Sequence, residues 1–358
     1  VYIGRQFLVS FFALLLGFLA LILVFDIVEL LRRTASRPEV SFDTIVYLAL
    51  LKLPHLSQKV FPFAALFGAM MVFWRLTRSH ELVVTRGAGV SAWQFLLPVL
   101  LLSATLGVLN VAIVNPLASA SLTRFERLEG ITLKGQNSAL ALSDSGLWLR
   151  QGDRGGQSVI HAARVSQHGS DVALSDVVIF VYEGSEQFSY RIDADMARLE
   201  DGFWQMTNVW IYVPESPARF EAEHRLETDL TLAKIQDSFA PPETMSFWAL
   251  PQFIGTLEAA GFSAVRHRLH WHALLSAPLL MCAMIFIAAT FTLRQARRGG
   301  TTFVIGASVL TGFLLYFFQD FALALGLSDS IPVALAAWTP SGIASLLGVA
   351  TLLHLEDG

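Results

Sequence analysis

The chain has 358 residues, 54% of them hydrophobic and only 15% charged, with a mean hydropathy of +0.55. Soluble globular domains carry about 25% charged residues, so this composition excludes one. The net charge of −4 says little about partners, no nucleic acid is expected, and the single Cys282 excludes an intrachain disulfide and argues against redox chemistry.

Six stretches lack Asp, Glu, Lys and Arg: residues 7–25, 60–74, 92–123, 269–293, 299–319 and 330–355. A spanning helix needs roughly 20 mostly apolar residues, so six membrane spans are predicted. The first is too long for a signal-peptide core and no small-residue cleavage site follows it, so a retained span is expected. It leads into Asp26, Glu29, Arg32 and Arg33, read as a helix leaving the bilayer with its charges on one face. The second stretch is short, and reaches spanning length only if it starts near Lys52 and leaves Lys59 at an interface, where a lysine can snorkel.

Between the second and third spans lies a polar link over residues 77–89, with Arg78, Ser79, His80, Glu81 and Arg86 ahead of Gly87-Ala88-Gly89. A solvated loop and a short helix that seats in another protein both account for such a segment.

Residues 124–265 change character, with glycines, charges and β-branched residues replacing the apolar runs. Strand patterns occupy 139–142, 146–150, 158–162, 172–182, 188–192 and 203–212, separated by turn residues, as in a β-sandwich or jellyroll. Ser246 is placed to cap a short amphipathic helix over 247–260 that ends at Gly261. Arg124 and Arg127, three apart, share a face if the third span continues as a helix.

Residues 266–358 hold the last three spans. His267, His270 and His272 lack the i, i+4 spacing of a helical metal site and read as an aromatic and basic interfacial belt. Asp320, about 20 residues into the fifth span, reads as a hydrogen-bonded helix-end residue. Gly306, Ser308 and Gly312 permit close helix approach. No G-x-x-x-x-G-K-[ST] occurs, and Arg298-Gly299-Gly300-Thr301-Thr302 lacks both the lysine and the spacing, so this chain is not expected to hydrolyse ATP.

With the N-terminus inside, the cytoplasmic set is Arg5, Arg75, Arg78, Arg86, Arg294, Arg297 and Arg298. The opposite set is Arg32, Arg33, Arg37, Lys52, Lys59, Arg124, Arg127, Arg266 and Arg268, so charge bias leaves orientation open.

Phe61-Pro62-Phe63-Ala64-Ala65-Leu66-Phe67-Gly68, then Arg78-Ser79-His80-Glu81-Leu82-Val83-Val84 and Gly87-Ala88-Gly89, resemble the LptF/LptG permease family of the bacterial lipopolysaccharide exporter, and its LptG branch more than its LptF branch. The Tyr2-Ile3-Gly4-Arg5 start and Pro340-Ser341 in the last span extend the resemblance over essentially the whole chain. It implies an α-helical polytopic membrane protein of six transmembrane helices, three plus three, with an inserted all-β periplasmic jellyroll. Residues 1–123 and 266–358 would form the bundle, in the bacterial inner membrane with both termini cytoplasmic.

The resemblance makes Glu81 the acid that contacts a separate ATPase; Arg78 and Arg86 are added from charge and position. Arg32 and Arg33 match a Lys-Lys pair of the family, and Arg124 and Arg127 an Arg pair at the same spacing, where basic residues meet substrate phosphates. Arg37 has no clear counterpart. The first and fifth spans are expected to act as lateral gates. Expected partners are a paralogous LptF-like permease, a cytoplasmic LptB-like ATPase dimer, a single-span LptC-like periplasmic jellyroll subunit, an LptA-like periplasmic bridge protein and lipopolysaccharide. No cofactor is expected on this chain, ATP and magnesium being used by the ATPase. A membrane-anchored scaffold or sensor is the competing function, and the LptF-type paralogue the competing assignment. An ion-coupled carrier fits less well, because no midplane acid accompanies Pro98 and Pro278.

Overall fold

A computed structural model describes residues 2–35, 40–79, 81, 91–130, 140–143, 146–153, 156–168, 171–183, 187–200, 202–228, 240–259, 263–293 and 301–357. The chain forms two compact units, one of Val1–Lys134, Glu243–Trp248 and His267–Gly358, the other of Gly135–Pro242 and Ala249–Arg266.

The first unit contains α1 (Tyr2–Thr34), α2 (Phe42–Arg78), α3 (Ala92–Leu109), a π-helical turn (Asn110–Val114) and α4 (Asn115–Glu129). After the sheet and α5 (Leu250–Ala259) come α6 (Val265–Leu293), α7 (Thr301–Leu327) and α8 (Val333–Asp357). Among the described residues, six segments are long and apolar enough to cross a membrane: Tyr2–Thr34, Phe42–Arg78, Trp93–Glu129, Val265–Thr292, Gly306–Leu327 and Val333–His354. That is the number predicted from hydropathy.

The second span is longer than its apolar run because α2 starts at Phe42. The Ser41 side chain accepts from the Thr44 amide at 3.3 Å and caps it. Its 37 residues rise about 55 Å against a hydrocarbon core of about 30 Å, so part of α2 stands outside the bilayer.

Phe7, Phe11, Phe61, Leu66, Phe73, Leu96 and Met284 share the core of this unit. Two glycines let backbones meet there. A Cβ on Gly68 would lie 3.2 Å from the Phe11 nitrogen, and one on Gly107 only 2.6 Å from the Pro278 Cα. In lipid such contacts carry helix association, because apolar burial distinguishes little between a neighbouring helix and acyl chains.

Asp320 is exposed and lies within α7, which continues to Leu327. The helix-end role expected for it is therefore corrected: the apolar residues after it extend the helix.

The second unit carries β1 (Leu140–Ser143), β2 (Gly146–Asp153), β3 (Gly156–His168), β4 (Asp171–Glu183), β5 (Gln187–Glu200), β6 (Phe203–Tyr212) and β7 (Arg219–Glu227). They form one antiparallel sheet in sequence order. A jellyroll built of Greek keys sets non-consecutive strands side by side, whereas the described strands pair only with their sequence neighbours.

A row of residues interrupts the pairing across this sheet. The registers skip Ala163 opposite Asp176, Asp176 opposite Asp195, Asp195 opposite Asn208, and Asn208 opposite Ala222. Inward positions shift by one residue on crossing the row. In β4 the buried residues are Val172 and Leu174 before it, Val177 and Ile179 after it; in β6 they are Trp204 and Met206, then Val209. Asp176 and Asn208 take φ of 54° and 53°, a left-handed conformation that Asp and Asn tolerate better than other non-glycine residues. Side-chain bonds brace the row: Asn208 Nδ2 donates to Asp195 Oδ2 at 2.9 Å, and Arg164 Nη2 to Asp176 Oδ2 at 2.8 Å.

The helix expected over residues 247–260 with a Ser246 cap begins instead at Leu250. The Phe247 amide is already used by Asn115 Oδ1 at 2.7 Å, so residues 247–249 form a turn. Pro251 then occupies the first helical turn, where its missing N–H has no intrahelical partner to lose.

Candidate functional site

The last turns of α1 and α4 bring charged groups together. Glu29 accepts bonds from Arg32 Nε and Nη2 at 2.9 and 3.0 Å and from Arg33 Nε at 2.8 Å. These are i, i+3 and i, i+4 pairs on one helix face. Arg33 Nη1 also lies 3.7 Å from Glu129 Oε1 at the end of α4. The arginine side chains stay 77% and 54% exposed, so their guanidinium groups remain open to a further ligand. Exposed pairs of this kind stabilise little, and their effect here is on orientation.

Arg124 and Arg127 stand exposed one turn apart on α4, with no ion pair among the described residues. Of the four arginines predicted from the sequence, Arg33 is thus tied to the helix that carries Arg124 and Arg127. Arg37 lies outside the described residues.

Beneath this surface, Lys52 Nζ on α2 lies 2.6 Å from Asp26 Oδ1 on α1. The Asp26 side chain is 9% exposed and its Oδ2 is buried without a hydrogen-bond partner. Lys52 also sits 5.7 Å from the Phe125 ring centre on α4, within attractive range of the ring face. Leu30, Ile45, Leu48, Ala49, Leu122 and Phe125 form the apolar cluster of this region. The expectation that Asp26 shares an exposed charged face with Glu29, Arg32 and Arg33 is therefore corrected: Asp26 turns inward to meet Lys52. Removing one partner of a buried pair strands the other charge, whereas apolar replacement of both is often tolerated.

The π-helical turn supplies a second polar junction. Pro116 has no N–H to offer the Ala112 carbonyl four residues earlier, and Trp248 Nε1 donates to that oxygen at 3.3 Å. With the Phe247–Asn115 bond and Thr123 Oγ1 donating to the Thr244 carbonyl at 3.1 Å, this fastens residues 243–248 to the third span.

At the far end of α2, Arg78 stacks over the Trp74 ring at 5.3 Å and the Ser79 amide bonds to the Arg75 carbonyl at 2.9 Å. Ser79 Oγ donates to Glu81 Oε1 at 2.9 Å, turning the acid back toward the helix end. Arg86 and the rest of the expected helix over 82–89 lie outside the described residues. The chain resumes at Ser91, whose side chain forms a reciprocal cap with Gln94 at the start of α3.

The helices differ in how much of their surface the chain covers. In the most apolar windows of the second and fourth spans 61% and 56% of residues are buried, against 17% for the first and 28% for the fifth. Phe12, Leu16, Val24 and Phe25 on α1, and Leu310, Phe313, Phe317 and Phe321 on α7, are exposed. These two spans therefore offer the broadest apolar faces to lipid or to another subunit.

Glu29 was recoverable from sequence as an acid placed three and four residues before two arginines. Glu129 and the Asp26–Lys52 contact depend on how α1, α2 and α4 pack and left no local signal.

Residues 1–354 match the family described as lipopolysaccharide export system permease LptF/LptG. The chain is similar to the lipopolysaccharide export system permease protein LptG of Escherichia coli strain K12, 22% identical over 359 residues that cover 99% of this chain and 97% of that protein. It is also similar to the LptG protein of Haemophilus influenzae, 23% identical over 345 residues, covering 95% and 94% of the two chains.

Proposed function

This chain belongs to the lipopolysaccharide export system permease LptF/LptG family, and from that premise we propose that it is the LptG-type subunit of an ATP-driven exporter. As a member it is a multi-pass inner-membrane transporter component and not a catalytic subunit. In the proposed cycle a paralogous permease packs against the apolar faces of α1 and α7, and the two chains enclose a cavity. Lipopolysaccharide enters sideways past these helices, and its phosphates meet Arg32, Arg33, Arg124 and Arg127. Guanidinium groups suit this role because they bind phosphate bidentately through charge-assisted bonds.

ATP and magnesium act in a separate ATPase dimer, which engages Glu81, with Arg78 and Arg86 beside it, and transmits closure to α2 as a rigid-body motion. Both termini would lie in the cytoplasm and the sheet in the periplasm. Lipid expelled by cavity collapse would pass along the sheet to a single-span subunit and a periplasmic bridge protein.

The observation that carries this reading is the cluster of exposed arginines at the ends of α1 and α4, with Arg32 and Arg33 held by Glu29, on the helix whose apolar face is least covered. Photo-crosslinkers at positions 32, 33, 124 and 127 should capture lipopolysaccharide in cells. Adducts only at lipid-facing control positions such as 16 would overturn it, and failure of a paralogous permease and an ATPase to co-purify with the tagged chain would overturn the assembly.

A further inference from the structure

The first turns of α1 and the last turns of α2 enclose a pocket of about 330 Å³ whose lining includes Tyr2, Arg5, Gln6, Ser10, Met71 and Arg75. It lies at one membrane face: α1 begins there and α2 ends there, whereas α4 ends at the face from which the sheet-bearing segment leaves. Its two arginines come from neighbouring helices and are exposed, and among the described residues they have no ion pair and no carboxylate lines the pocket.

A second observation points to the rest of the ligand. Gln6 Oε1 is buried with no hydrogen-bond partner, and an unpaired buried acceptor is unfavourable until a donor reaches it. Val9 and Met71, both exposed, continue the pocket along the apolar surface of the two helices. A ligand that satisfies all three features has a phosphate, a donor attached to it and acyl chains.

We propose that this pocket binds the headgroup of an anionic phospholipid of the adjacent leaflet. Arg5 and Arg75 hold the phosphate diester, and a headgroup hydroxyl of the phosphatidylglycerol type donates to Gln6 Oε1. The site is distinct from the arginines of α1 and α4, which belong to the opposite face, and does not depend on what the protein transports. A lipid bound here bridges α1 to α2 at the end where Asp26 and Lys52 do not reach.

The test is native mass spectrometry of the full chain with its co-purifying subunits, delipidated in detergent and titrated with defined lipids. Phosphatidylglycerol should be retained in preference to phosphatidylcholine, which has no headgroup donor, and to phosphatidylmethanol, which keeps the charge but lacks the hydroxyl. Arg5→Gln and Arg75→Gln should each weaken retention about tenfold, the effect of losing one charge-assisted contact. Gln6→Leu keeps both charges and should abolish only the preference over phosphatidylmethanol. Equal loss in Arg268→Gln, a control in the first turn of α6, would mean general attraction to anionic lipid and would sink the site. So would undiminished retention in the double arginine variant, equal binding of phosphatidylcholine, or displacement of the lipid by millimolar inorganic phosphate.

Discussion

Lys52 Nζ and Asp26 Oδ1 stand 2.6 Å apart on α2 and α1, with the aspartate nine-tenths buried and its second oxygen unpartnered. The pair joins the least covered span to one of the best covered. Because Lys52 keeps 28% side-chain exposure, stranding either charge falls below the 3–5 kcal/mol seen for fully buried pairs. Asp26→Leu and Lys52→Met should each destabilise by about 2 kcal/mol, and the double variant Asp26→Leu/Lys52→Met by less than their sum. Thermal unfolding in detergent, run as a double-mutant cycle, measures this. Additive losses would show that the two groups do not act as a pair.

Trp248 and Pro116 form a second testable couple. In the native chain Trp248→Phe removes the donor that satisfies the Ala112 carbonyl, a loss of about 0.5–1 kcal/mol. After Pro116→Ala the new backbone N–H can take that carbonyl, and Trp248→Phe should then have almost no effect. Hydrogen exchange of the third span across the four variants reads the coupling.

The interrupted row of the sheet makes a conformational prediction. Asn208→Val forces a β-branched residue to hold φ near 53° and should destabilise the sheet by about 1–2 kcal/mol, while Asn208→Gly should be tolerated. Amide exchange of β5 and β6 in the full chain distinguishes the two outcomes. Equal protection in both variants would show that the left-handed turn is not required.

Arg124→Glu with Arg127→Glu changes two exposed side chains and should leave the melting temperature within about 2 °C of the parent. Lipopolysaccharide capture by a crosslinker at position 32 should nevertheless fall several-fold. Unchanged capture would remove these two residues from the substrate path.

Glu81→Lys reverses the charge at the proposed coupling contact, and co-purification of an ATPase subunit should drop at least tenfold, more than in Glu81→Ala. Retention of the ATPase at parental levels together with unimpaired transport would remove Glu81 from the coupling contact.

The six spans were legible because hydropathy alone marks helices in a bilayer, and strands β1 to β6 because turn residues separate their apolar runs. Strand β7 was missed since Arg219–Glu227 is mostly charged; it is the outermost of the described strands, and charge protects such a strand from unwanted pairing. Ser175-Asp176 and Thr207-Asn208 sit inside runs that otherwise read as continuous strand, so the break in alternation was hidden. The arginines could be named from the chain, but Arg33 meeting Glu129, and Asp26 meeting Lys52, required helices to be packed first. The late start of α5 had a visible signal, Pro251, which marks a first helical turn more firmly than Ser246 marks a cap.

The aligned skip at Ala163, Asp176, Asp195, Asn208 and Ala222 also limits how this sheet can vary in length. Deleting Asp176 alone would keep Val177 and Ile179 inward but set one outward residue of β4 against two on β3 and two on β5, forcing a bulge into both neighbours. A single-residue deletion is therefore cheaper in the turns between strands than at the row, where the strands stay matched only if all five lose their residue together. Gene-length changes in this unit should accumulate at its hairpins, and the five crossing positions should be gained or lost as a set.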